Sequence, residues 1–149
     1  MIESIVLAGA LMAGPATAGT AAIEQAQTAA SVIPRAWRPF AECVSFRESR
    51  NNPKAVNGSS GAAGKYQFLP AWRHGLPYMV AERLVEHGYP QRLRKALRIR
   101  LQATPIHKWE PIYQDIGFAA ALLAPNGRGW RHWTLPGHRC QSLVPGFAR

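Results

Sequence analysis

The sequence predicts a mainly α-helical single domain, and three observations predict it. The 149 residues are 47% hydrophobic and include five Trp, five Phe and four Tyr, enough large side chains for one real core. Apolar residues recur at three- and four-residue spacing in several separate segments. Alternation of apolar and polar residues at strand length is absent, apart from a candidate hairpin around residues 54–66. Collagenous, low-complexity and wholly disordered classes are excluded, because each needs a composition too poor in large apolar side chains to offset chain entropy. No internal repeat, phosphate-cradling glycine loop or HExxH pattern occurs.

The first element is a leader. Ile5 to Gly14 is uncharged and apolar, followed by Pro15 and the small residues Ala16, Thr17 and Ala18. It is too short for a bilayer core, which takes about 20 helical residues. Its proportions suit a secretory signal peptide ending near residue 18, although Glu3 stands where such signals usually carry a base; an uncleaved apolar helix or tether is the other reading. Residues 19–34 lack a large apolar stripe and read as a flexible lead-in. The folded domain is then expected over residues 35–145, with 146–149 as a tail.

Within the domain, Phe40, Cys43, Val44 and Phe46 predict a helix over 39–49, with Pro39 in its first turn. The Phe40–Val44 stripe extends by four to Glu48. A carboxyl group there lies on the core-facing side of the last turn, where the negative helix end and partial burial both favour the neutral acid. Residues 51–70 are dense in Asn, Gly, Ser and Pro and predict a loop, and Tyr66, Phe68 and Leu69 return the chain to the core. Trp72 is placed on a short helical turn after Pro70. Pro77 is read as opening a helix through Met79, Val80, Leu84 and Val85 that stops at Gly88. Pro90 starts another with Leu93, Ala96, Leu97 and Leu101 inward, and a last helix runs from Glu110 to Leu123. Residues 128–149 are irregular and rich in Gly, Pro and Trp.

Charge narrows the chemistry. The chain has 18 Lys+Arg against eight Asp+Glu, a formal net charge of +10, and residues 1–34 contain none of the bases. Such a field attracts polyanions: nucleic acid, an acidic membrane surface or an anionic cell wall. Arg92, Arg94, Lys95, Arg98 and Arg100 read as a solvated basic face or a polyanion contact. Any carboxylate chemistry in the domain must draw on Glu42, Glu48, Glu82, Glu86, Glu110 or Asp115. Glu82 and Glu86, one turn apart beside Arg83, read as solvated surface, and Glu110 as a helix-start charge. Asp115 reads as exposed or paired with an arginine. Glu48 itself has a plain alternative, a salt bridge to Arg47 or Arg50. Cys43 and Cys140, an even count in a candidate exported chain, suggest one disulfide; two buried thiols, or a zinc site with His132 and His138, are the alternatives.

The residues Glu48-Ser49, Asn52-Pro53, Ala55, Asn57, Ser59, Gly61-Ala62, Gly64 and Tyr66-Gln67-Phe68, in that order, resemble the soluble lytic transglycosylase domains of the lysozyme-like superfamily. Those domains pair a glutamate-serine at a helix end with a glycine-bearing loop that ends in glutamine. The likeness covers about residues 37–72; the family's later tyrosine-asparagine-glycine motif has no counterpart, since Asn126-Gly127 lacks the tyrosine. The ending Gly129-Trp130, Trp133 and Cys140 is similar to resuscitation-promoting factors, and the whole to lysozyme-like proteins of actinobacterial phages.

The resemblance implies a lysozyme-like fold, α+β with minimal β, holding a substrate cleft. It implies peptidoglycan glycan strands as substrate, cleaved by a lytic transglycosylase or muramidase without cofactor or metal. Glu48 would be the general acid and Ser49 its support. Gly64, Tyr66 and Gln67 would line the cleft. Of Trp72, Trp109, Trp130 and Trp133, a small helical domain spends most on packing, and Trp72 and Trp130 are the first choices for stacking on sugar rings. Family members commonly manage with one carboxylate, because the substrate's own hydroxyl can attack. The expected setting is extracellular and wall-associated, or on a virion, as a monomer drawn to anionic wall polymers, with no stable membrane span and no specific nucleic acid. Two rival classes are a non-catalytic wall-binding or virion structural protein that keeps the fold, and a basic nucleic-acid module. The histidines His74, His87, His107, His132 and His138 share no spacing and read as surface or structural.

Overall fold

The computed structural model describes residues 32–124, 126–134 and 138–147. The expected leader over 1–18, almost all of the lead-in over 19–34 and the end of the tail lie outside the described residues. Among the described residues four α-helices dominate, joined by short 3-10 turns, with almost no strand. After a 3-10 turn at Arg35–Trp37, helix α1 spans Arg38–Ser49. Its stripe buries Phe40, Ala41, Val44 and Ser45, and Trp37 meets Phe40 edge to face at 5.8 Å. Arg50 ends it in the left-handed conformation at φ 57°, with its N–H closing on the Phe46 carbonyl.

Helix α2 spans Trp72–Arg83, so Pro77 lies inside it rather than at its start, and Trp72 belongs to its first turn. Proline carries no N–H for the Arg73 carbonyl, and it disfavours helical geometry at Leu76. Burial outweighs that cost: Leu76 and Pro77 are both sealed in the core, and the Leu76 side chain lies against Gly117. The expected extension to Gly88 is a set of turns, and Val85 faces solvent.

Helix α3, Gln91–Ala103, follows Pro90 as expected, but only Leu101 is fully buried and Ala96 is exposed. Its basic residues are partly engaged within the protein. The Arg94 Nε donates to the Tyr89 carbonyl at 3.1 Å, Arg98 covers the Tyr78 ring at 4.5 Å, and Arg100 pairs with Glu110 at 3.0 Å. Arg92 and Lys95 remain exposed. Helix α4, Pro111–Leu123, is the central element: Tyr113, Gln114, Ile116, Phe118, Ala119, Ala121 and Leu122 are all buried. Helix α2 packs against both α3 and α4. No helix among the described residues is long and apolar enough to cross a membrane.

An aromatic cluster joins these helices to the loop after α1. Tyr66 stacks on Phe118 with centroids 3.8 Å apart, and Phe68 meets Trp72 and Trp133 edge to face. The expected hairpin is reduced to two antiparallel bridges, Val56 to Ala63 and Ala63 to Phe68. After α4 the chain continues in 3-10 turns at Gly129–Trp133 and Arg139–Leu143. Cys43 and Cys140 form a disulfide that ties α1 to the second of these turns, which removes the free-thiol and zinc alternatives for Cys140.

Candidate functional site

A cavity of about 300 Å³ lies between the end of α1, the loop and the Gly129–Trp133 turn. Its lining includes Glu48, Asn57, Ser60, Gln67, Trp72 and His132, with Trp133 behind. Glu48 reaches it because the apolar stripe of α1 places residue 48 above Val44. The Glu48 side chain is about three-quarters buried, 25% exposed, and contacts the guanidinium of Arg47.

Arg47 is a junction. One Nη donates to the Trp133 carbonyl at 2.6 Å, and the other lies 2.7 Å from His138 Nε2. His138 accepts the Cys140 N–H at 3.2 Å through Nδ1. Loss of solvation, reinforced by the positive charges of Arg47 and Arg139, lowers the His138 imidazole below its ordinary range. Arg47 thus joins the end of α1 to Trp133, a lining residue of the cavity, and to His138, which precedes the Arg139–Leu143 turn.

The loop is positioned by hydrogen bonds rather than by strand pairing. The Ser49 hydroxyl donates to the Lys65 carbonyl at 2.7 Å and accepts the Asn52 N–H at 3.0 Å, so it fixes the loop against the end of α1. Gln114 is fully buried on α4. It accepts the Lys65 N–H at 2.7 Å and donates to the carbonyls of Pro53, Ile106 and Trp109 at 3.0–3.1 Å. Gly64 sits directly over it: φ is +80°, and a Cβ would fall 2.5 Å from Gln114 Oε1. Gln67 is also left-handed, at φ 50°, and its amide donates to the Gly64 carbonyl at 3.0 Å. Strain at a non-glycine residue persists only where its surroundings over-determine it.

The expected site residues therefore separate. Glu48, Gln67 and Trp72 line the cavity. Ser49 and Gly64 support the loop from behind. Tyr66 is 1% exposed, its hydroxyl donating to Asp115 at 2.7 Å, so it serves the core and offers no face to a sugar. Burial first, then the Asp115 charge and hydrogen bond, raise the Tyr66 phenol far above its ordinary value. Trp130 packs edge to face on Phe147 at 5.9 Å, under Arg131, and is not among the cavity-lining residues. Asp115 pairs with Lys65 at 3.0 Å and Tyr66, where an arginine or solvent was expected.

No family model, curated protein or solved structure matches this chain. The cavity's chemistry must therefore be read from its own residues. Among the described residues no group of three or more His, Cys, Asp or Glu side chains could hold a metal ion. Two members of this region are not assigned to it by the sequence: Gln114 carries no expectation there, and His132 is expected only as a zinc alternative or as surface or structural. Gln114 is a polar residue inside an apolar stripe, a signal that could have marked it. His132 gave no periodic signal, because it sits in an irregular turn.

Proposed function

We propose that this chain is a lysozyme-like enzyme that cleaves peptidoglycan glycan strands, with residues 35–145 as its catalytic domain and Glu48 as general acid. One observation carries the reading: a largely buried carboxyl group at a helix end shares a cavity with Gln67 and Trp72, and no other carboxylate lines that cavity among the described residues. Glu48 gives its proton to the bridging oxygen as the glycosidic bond breaks, and the Arg47 guanidinium faces the carboxylate left behind. Trp72, half-buried at the rim, offers a flat apolar face to a sugar ring. The surplus of positive charge holds the enzyme against anionic wall polymers. The disulfide supports an oxidising, extracellular setting, on a wall or a virion.

The test is Glu48→Gln, which keeps shape while removing the transferable proton. Purified wild-type protein is expected to release muropeptides from peptidoglycan, read by mass spectrometry, and the variant to release none while still binding walls. Anhydro ends identify a transglycosylase and reducing ends a muramidase. Fragment release by the variant would overturn the assignment.

A second reading is favoured by the Arg47–Glu48 contact, which is also what a structural ion pair would make. On that reading the protein is a non-catalytic wall-binding or virion component, and wild-type protein binds walls without releasing fragments.

A further inference from the structure

We infer that His132 is a second catalytic residue, the base that takes the proton from the attacking hydroxyl; this rests on the glycan-cleaving reading above. The cavity presents two titratable side chains among its described lining residues, Glu48 and His132. A single carboxylate must otherwise give a proton to the leaving oxygen and then take one from the nucleophile. An imidazole in the same cavity divides the two tasks.

The geometry around His132 suits that role. Its turn is fixed on both sides, while the imidazole itself is exposed. Before it, Gly129 presses on the end of α4 so closely that a Cβ would overlap the Ala121 carbonyl oxygen. After it, the Trp133 indole donates to the Tyr66 carbonyl at 2.8 Å, and the Trp133 carbonyl accepts from Arg47. The His132 ring stands nearly perpendicular to those of Trp72 and Trp133, with centroids 5.0 Å and 6.0 Å apart. Neither ring nitrogen is hydrogen-bonded to another described residue. A base held by ring contacts, with its nitrogens left for a ligand, is preorganised without being quenched.

The proton balance closes without an added reagent. Glu48 protonates the bridging oxygen as its bond to the sugar C1 breaks. The nucleophile, water or the sugar's own hydroxyl, bonds to C1 and passes its proton to His132. Transfer through solvent then returns that proton from the imidazolium to the Glu48 carboxylate, and the site is reset.

His132→Phe keeps a flat ring against Trp72 and removes both nitrogens. With purified full-length protein and soluble glycan strands, kcat is expected to fall at least about 100-fold while KM stays within about twofold. His132→Ala is expected to regain turnover when free imidazole is added. Turnover of His132→Phe at the wild-type rate, or a loss confined to KM, overturns the inference and leaves the glycan-cleaving reading standing. A wild-type protein that releases no fragments overturns both.

Discussion

Gln114→Leu is the substitution that most directly tests how the cavity is built. Leucine has nearly the same volume but neither donates nor accepts, so the Lys65 N–H and the carbonyls of Pro53 and Trp109 lose their partner, while the Ile106 carbonyl keeps the Trp109 N–H. Each buried polar group left unpaired costs about 1–3 kcal/mol, which puts the loss at about 3–5 kcal/mol after partial relaxation. Against a total stability of about 5–15 kcal/mol, that is a large fraction. Gly64→Ala probes the same contact from the other side. It adds backbone strain of about 1–2 kcal/mol at positive φ and drives a methyl group into Gln114 Oε1. Gln114→Ala removes the obstructing atom, so the Gly64→Ala, Gln114→Ala double variant should be less destabilised than the sum of the singles by about 1–3 kcal/mol. Urea unfolding followed by tryptophan fluorescence and circular dichroism compares the four variants with the wild type. If Gln114→Leu costs under about 1 kcal/mol, or the two alanine substitutions simply add, then the amide does not hold the loop in the way described.

Two further outcomes concern the covalent and ionisable parts of the core. Replacing Cys43 and Cys140 together by serine should lower stability by up to about 4.7 kcal/mol in the chain-entropy treatment, given a separation of 97 residues; an unchanged urea midpoint would contradict it. Tyr66 releases its proton far more readily unfolded than folded, so its contribution is fully present below about pH 10, the ordinary tyrosine value, and is lost as pH rises beyond it. Stability should therefore fall above that pH, and less steeply in Tyr66→Phe. Tyrosinate absorbance at 295 nm checks it: four tyrosines ionising together in the folded protein would refute the assignment.

Much of the helical framework was legible because burial is periodic. The stripe through Phe40 and Val44 defines α1 and carries Glu48 to its place, and the apolar run of 112–123 defines α4. Helix α2 was misread at its start because Pro77 carries the local signal of a first turn, while the force that keeps it inside a helix is the burial of Leu76 against Gly117, a long-range contact. Tyr66 stood beside Gln67 in sequence and so invited the same role. The left-handed turn at Gln67 separates them, one into the core and one into the cavity. The partnership of Asp115 with Lys65 and the arrival of His132 opposite α1 are products of tertiary packing, which spacing along the chain does not encode.

The bond between Cys43 and Cys140 also bears on how the protein is made. The thiol of α1 emerges from the ribosome 97 residues before its partner, so the first helix can be built early but not fastened until synthesis has passed the last turn. During that interval Cys43 is open to wrong partners on other nascent chains.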